Sequence, residues 1–241
     1  MPKVINLGER CYPGISHKRV RDDHKAKHQF FLPYVRDKYV VDIGCGEGFG
    51  SNLLKTSGGA KKVIGVDIDA EIIEEAKQKY PEVDFLVSDG SMTMIPNESA
   101  DIVIAFDSWH HMDNYDQLPK EVARILHTGG LFIFSVPNRK VLYLNPFRKK
   151  MLTEFYRKDF DKKTITKLLG DLFVIEEWYG QRFVKSLYTN PIVKIVFFCL
   201  SYVSKVFSRK IDIAYKLANG PAVLPLTGEN SRSIIVVARK S

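Results

Sequence analysis

Three groups of residues in the first half of this chain have the types and spacing to do chemistry together. The first is Tyr39–Gly50, Tyr-Val-Val-Asp-Ile-Gly-Cys-Gly-Glu-Gly-Phe-Gly, in which an apolar run ends in Asp42 and glycines follow at 44, 46, 48 and 50. A buried strand that runs through a glycine-dense turn into a helix lets the backbone approach a ligand closely. A dinucleotide fingerprint starting at Gly44 would need glycine at position 49, where Phe49 stands. The second group is Asp67, at the end of the next apolar run. A carboxylate there can accept hydrogen bonds from both hydroxyls of a ribose. Many nucleotide-binding α/β folds use that device, and the competing role for Asp67 is a helix N-cap. The third is Asp107, His110 and His111, a tight acid–imidazole cluster. A histidine near neutral pH can take a proton from a hydroxyl or ammonium nucleophile, or it can simply hydrogen-bond its own loop.

Stepping outward, these residues need strand ends to position them. Val40–Ile43 is apolar and β-branched, as a strand buried on both faces should be. Ser51–Lys55 begins the helix after it. Val63–Asp67, Val83–Val87, Ile102–Phe106 and Leu131–Val136 read as four more buried strands. Between them Ala70–Lys79 carries Ile72, Ile73 and Ala76 at helical spacing and stops before Pro81. Tyr115–Leu126 reads as a helix that ends at Gly129-Gly130. Alternating strands and helices imply a parallel sheet with right-handed crossovers and ligands at the carboxyl ends of the strands. After residue 137 the pattern changes to a helix at Thr164–Leu169 and two apolar strands, Phe173–Trp178 and Ser233–Ala238. More than fifty residues separate those two strands, too many for a plain hairpin loop.

The chain has 241 residues, enough for one large α/β domain, and its 45% hydrophobic content is that of a globular protein with a real core. Cys11, Cys45 and Cys199 are too few and too scattered for a disulfide framework or a zinc site, which fits a reducing, cytoplasmic setting. Residues 1–6 lack the apolar core of a signal peptide. The net charge of +8 is compatible with an anionic partner or with solubility alone. Arg139–Lys163 holds nine lysines and arginines interleaved with aromatics. It reads either as a clamp for a phosphate- or sugar-bearing acceptor or as a solvated face with core anchors. Leu187–Phe207 is apolar but interrupted by Pro191, Lys194 and Lys205, a poor membrane span. It could lie in a membrane interface as a peripheral contact, form a buried lid, or make a dimer surface.

The pattern Asp42-x-Gly44-x-Gly46-x-Gly48, followed by Asp67 and Asp89 at the next two strand ends, resembles the class I S-adenosylmethionine-dependent methyltransferases, and the resemblance extends over about residues 8–181. It implies S-adenosyl-L-methionine as cofactor. It also implies a seven-stranded, mostly parallel Rossmann-like sheet with helices on both faces and a final antiparallel strand pair. Asp42, Gly44, Cys45, Gly46, Gly48, Asp67, Ile68, Asp89, Gly90 and Phe106 would line the cofactor site. In the family the acid matching Asp89 accepts from the adenine amino group; a plain Asp-Gly turn at Asp89-Gly90 is the rival. The fourth-strand loop would face the transferred methyl, which makes His111, Asp107 and His110 the catalytic candidates. The expected organisation is a single domain with a cap at 1–36, a cofactor-binding core at 37–137, and a substrate-side region at 138–241 carrying an insertion at about 179–232.

Shorter features resemble a group associated with surface-glycan biosynthesis. They are Gly8-Glu9-Arg10-Cys11-Tyr12-Pro13, Asp23-His24, Asp107 with His111, Pro137-Asn138, Asn145-Pro146-Phe147, Glu154-Phe155 and Gly180-Gln181. Two positions depart from that group: Arg148 replaces its usual His, and Lys27 stands where it has Arg. The acceptor implied is an oxygen or nitrogen nucleophile of a small or glycan-type molecule, sugar- or lipid-linked. The fourth-strand exit lacks the Asn/Asp-Pro-Pro-Tyr/Phe of amino-group nucleic-acid methyltransferases and lacks a cysteine nucleophile. Nucleic acid, met through the basic 139–163 segment, is therefore the alternative acceptor, and a non-catalytic S-adenosylmethionine-binding protein is a third reading. No cluster of metal ligands appears.

Overall fold

The computed structural model describes residues 18–142, 156–183, 220–226 and 230–241. The chain opens with a long helix, α1 (Lys18–Val35), and then alternates: β1 (Tyr39–Ile43), α2 (Phe49–Thr56), β2 (Lys62–Asp67), α3 (Ala70–Lys79), β3 (Asp84–Val87) and β4 (Ala100–Phe106). A short 3-10 turn, Trp109–His111, leads to α4 (Leu118–Ile125) and β5 (Leu126–Pro137). α5 (Arg139–Leu142), α6 (Lys162–Leu169), β6 (Phe173–Phe183), β7 (Val223–Pro225) and β8 (Ser231–Lys240) complete the described elements.

The strands form one sheet in the order β3-β2-β1-β4-β5-β8-β6-β7. The pairings β1 with β2, β1 with β4, β2 with β3 and β4 with β5 are parallel. β8 lies antiparallel between β5 and β6, as the resemblance implies for the last two strands. The strand order reverses at β1, between β2 and β4, so the switch point of the sheet lies where the glycine run begins.

Three expectations need correcting. The sheet has eight strands rather than seven, because Val223–Pro225, from within the long insertion, pairs with Tyr179–Gln181 at the edge of β6. It is short and ends in Pro225, which lacks the amide proton that would continue the ladder. "Mostly parallel" consequently describes only β1–β5, since the three pairings beyond β5 are antiparallel. The helix expected over Tyr115–Leu126 is also shorter, Leu118–Ile125, and β5 begins at Leu126, ahead of the glycine pair. Gly129 turns within that strand at φ 78°, where its carbonyl accepts from Arg239 Nη1 at 2.6 Å. The glycines therefore mark an irregularity in a strand, not the end of a helix.

Both faces of the sheet are covered. Val41, Ile43, Val103, Phe132, Phe134 and Val136 pack with α4 and α6 on one face. Val40, Val63, Ile102, Ile104 and Ile133 pack with Phe31 and Val35 of α1 and Leu54 of α2 on the other. α1 thus lies directly over the central strands and carries its buried face to the ends of β1 and β4.

Candidate active site

The glycine run forms the turn between β1 and α2. Gly44, Gly46 and Gly48 have φ of 75°, 55° and 80°, the left-handed region that other residues adopt only at a cost. They are needed for different reasons. A Cβ on Gly44 would overlap the side chain of Ser108, from the loop after β4, whereas a Cβ on Gly46 would meet nothing within 4 Å. Gly46 therefore leaves its bare backbone facing open space, as a cradle for a ligand would. Asp42 sits beneath the turn, 3% exposed, and accepts from Ser51 Oγ at 2.6 Å. Burial raises its carboxyl pKa, opposed by His28 and by Ser51. Cys45 is partly buried, and desolvation pushes its thiol pKa up, which makes it a poor nucleophile.

Asp67 ends β2 beside this turn. Its Oδ2 accepts from the Gly46 N–H at 2.9 Å and its Oδ1 from the Asp69 N–H at 3.1 Å. A carboxylate offers about four lone-pair sites, so about two remain, one for each hydroxyl of a ribose. The competing role is taken by its neighbour: Asp69 caps α3, accepting from the amides of Glu71 and Ile72. Ile68 is 67% exposed, an apolar surface large enough to lie against a flat ring. At the end of β3, Asp89 Oδ1 accepts from Ser91 N and Oγ at 2.9 and 2.8 Å. Asp89 thus makes its turn with one oxygen. Gly90 is required as well, since a Cβ there would overlap Ile43.

The exit of β4 is tied to α1. Phe106 is buried, its ring edge-on to His28 at 5.0 Å and close to Phe31 at 5.7 Å. Asp107 has φ 52°. Its N–H donates to both the carbonyl and the hydroxyl of Ser135 on β5, and Ser135 Oγ in turn donates to Asp107 Oδ1 at 2.8 Å. Lys27 of α1, 1% exposed, donates from Nζ to Asp107 Oδ2, and His24 Nε2 lies 3.6 Å from the same oxygen. Burial alone would raise the Asp107 carboxyl, but the Lys27 ammonium and His24 hold it far below the carboxylate range. Burial and Lys27 together push the His24 imidazole down to about 3.

His110 and His111 follow in the 3-10 turn with their ring centroids 3.9 Å apart. His110 is buried, and its Nδ1 has no hydrogen-bond partner among the described residues. Burial first, then His111, holds it neutral at physiological pH. His111 keeps part of its surface exposed. Ser108, between them and Asp107, donates to the Ile43 carbonyl at 2.9 Å and locks this loop to the glycine turn. Among the described residues no group of histidines, cysteines and acids could hold a metal ion.

Comparison with known proteins gives this geometry a family. The model of a methyltransferase domain matches residues 41–134, from β1 into β5. A probable S-adenosylmethionine-dependent methyltransferase of Mycolicibacterium smegmatis is 30% identical over 183 residues, covering 75% of this chain and 70% of the relative. The chain belongs to the S-adenosylmethionine-dependent methyltransferases. A probable S-adenosylmethionine-dependent methyltransferase of Mycobacterium tuberculosis is 29% identical over 172 residues, and the chain spans 61% of its length. In structure the methyltransferase resembles a SAM-dependent methyltransferase of Thermotoga maritima, with a TM-score of 0.66, 18% identity, and coverage of 92% of this chain and 90% of that one; the likeness is one of fold.

The methyltransferase's site contains residues that motif reading passed over. His28, Ser108 and Ser135 were not singled out, and Lys27 entered only as a departure from the resemblance. One signal could have found the helical ones: His24, Lys27, His28, Phe31 and Val35 fall at spacings of three and four, so two histidines and a lysine share the face that buries Phe31 and Val35. Gly50 had no role in the motif; its missing Cβ makes room for the His28 ring. Asp23-His24 and Gly180-Gln181, far apart in sequence, do meet. Gln181 Nε2 donates to the Asp23 carbonyl at 2.9 Å, and Arg182 Nε donates to Asp23 Oδ1 at 2.8 Å. Pro137-Asn138 is anchored likewise, with Asn138 Nδ2 donating to the Ser231 carbonyl at 3.0 Å. Residues 8–13, 145–147, 154–155, Arg148 and the apolar 187–207 lie outside the described residues. Among those described, no helix is long and apolar enough to cross a membrane.

Proposed function

We propose that the carboxyl ends of β1, β2 and β3 hold S-adenosylmethionine, and that the exit of β4, roofed by α1, receives an oxygen or nitrogen nucleophile on a small or glycan-type acceptor. The cofactor half rests on one observation above the others: Asp67 is fixed by the Gly46 and Asp69 amides with lone pairs left for two hydroxyls. Ile68 would cover one face of the adenine, and Asp89 and Gly90 would meet its edge. The turn from Asp42 through Gly44, Cys45, Gly46 and Gly48 would take the methionine end, with Phe106 as its wall.

When bound, the cofactor supplies a methyl group on a sulfonium, a strong electrophile. The chain's own work is to align the acceptor and keep water out. Asp107 is committed to Lys27 and Ser135, and the sealed, neutral His110 supports the turn. Both are positioning residues in this reading. His111, the partly exposed member, takes the proton from the acceptor hydroxyl or ammonium.

The glycan-type acceptor is supported by the meeting of Asp23-His24 on α1 with Gly180-Gln181 near the end of β6, two of the segments that carry that resemblance. The nucleic-acid reading is weakened by what the described cations of residues 139–163 do. Arg139 pairs with Asp161, Arg157 with Asp113, and Lys158 and Lys162 lie over Tyr115 and Trp178. Four of the six described cations of this segment thus have partners within the chain, while Lys140 and Lys163 are exposed. A lipid-linked sugar would suit the apolar 187–207 segment as a peripheral membrane contact. Incubation of the protein with methyl-tritiated S-adenosylmethionine and, in parallel, lipid-linked oligosaccharide, free oligosaccharide and total RNA tests the assignment. Label in carbohydrate is expected; label in RNA alone overturns it.

A further inference from the structure

The Lys27–Asp107 pair has an asymmetry that the positioning role alone does not use. Lys27 is 1% exposed, sealed behind α1, while the Asp107 side chain keeps 21% of its surface open. The pair is neutral overall, and only its negative member keeps appreciable exposed surface. Ser108, the next residue, packs against Gly44 so tightly that a Cβ on that glycine would overlap it. Asp107, one residue before Ser108, therefore adjoins the turn that takes the methionine end of the cofactor. The groups that face the Asp107 carboxylate are Lys27 and His24 from α1, Ser135 from β5 and His110 from its own loop. His24 is kept neutral by burial, so Lys27 is the one full positive charge among them.

We propose that the oriented Lys27–Asp107 pair discriminates the charged sulfonium form of the cofactor from the uncharged thioether product. This rests on the cofactor placement given above. The partly exposed carboxylate attracts the sulfonium, and the buried ammonium beside it moderates that attraction so that the site is not overcommitted to one form. After transfer the charge is gone and the attraction goes with it, so S-adenosylhomocysteine is held less tightly than S-adenosylmethionine. A single charge acting across a partly solvated cleft changes affinity by roughly fivefold.

The test is calorimetric titration with S-adenosylmethionine and S-adenosylhomocysteine separately, reading the ratio of the two dissociation constants. Lys27→Met uncovers the carboxylate and should move the ratio roughly fivefold toward S-adenosylmethionine. Asp107→Asn exposes the ammonium and should move it by a similar factor toward S-adenosylhomocysteine. Lys27→Arg, which keeps the oriented charges, should stay near the wild-type ratio, while the double variant Lys27→Met/Asp107→Asn, with no charged pair left, should lose part of the wild type's preference for S-adenosylmethionine. The double variant also serves if the single loss of Lys27 fails to fold. A merely structural pair would weaken both ligands together and leave every ratio unchanged, which would overturn the proposal. Failure of the wild-type protein to bind either ligand would instead overturn the cofactor placement beneath it.

Discussion

Removing the Asp67 carboxylate separates the reading of this site from its rivals. In the structure Asp67 has two backbone donors, Gly46 N at 2.9 Å and Asp69 N at 3.1 Å, and neither needs a ligand to be present. The ribose would add two more hydrogen bonds to the same charged group. A hydrogen bond to a charged partner contributes about 1.5–3 kcal/mol. Loss of two, softened by solvent reaching the partly exposed site, should cost about 2–3 kcal/mol, a weakening of roughly 30- to 150-fold. Asp67→Ala should therefore bind S-adenosylhomocysteine that much more weakly in isothermal titration. The two lost backbone bonds are surface-near, and Asp69, not Asp67, caps α3, so the melting temperature should fall only modestly. Unchanged affinity in a folded Asp67→Ala protein would refute the ribose assignment, whatever the fate of the rest of the site.

Two glycines of one turn should fail in different ways. Gly44→Ala forces a methyl into Ser108 and should lower stability by about 3 kcal/mol or more in urea unfolding. Gly46→Ala meets only backbone strain of about 1–2 kcal/mol, so it should lose less stability than Gly44→Ala but also lose cofactor affinity, because its methyl projects into the open cradle. Stability should also fall in acid. His24, His28 and His110 all have folded pKa values below that of an unfolded histidine. The unfolded chain then binds more protons below about pH 6.5, so their contribution is full above that pH and is lost as pH drops toward the folded values. Asp107, also depressed, adds a further loss only below about pH 4. Denaturant midpoints that stay flat between pH 7.5 and 5.5 would contradict the burial of these histidines as neutral groups.

Much of this was legible in the residues because the parallel core is written in local terms. Val40–Ile43 is a short apolar, β-branched run and Ala70–Lys79 has helical spacing, and strand and helix lie where those patterns put them. The glycine turn was legible because close backbone approach and positive φ demand glycine at fixed offsets, and Asp67 lies beside it at the strand end where the spacing put it. Gly129-Gly130 misled, since glycine ends helices and also kinks strands, and the choice at β5 was made by partners on β8 more than a hundred residues away. The edge strand β7 was hidden for a similar reason, as three residues in a long connection carry no period. His28 was the costliest omission, and Lys27 was noted without its partner Asp107. Their spacing with Phe31 and Val35 marks a buried face, but which strands that face meets is decided by α1 lying across β1 and β4.

A structure of the protein with S-adenosylhomocysteine bound is the most direct test. The account predicts both ribose hydroxyls on the Asp67 carboxylate, the adenine between Ile68 and Asp89, and the thioether sulfur on the side of the glycine turn that faces Asp107. A ligand that occupies another face of the sheet, or that leaves Asp67 uncontacted, would contradict it.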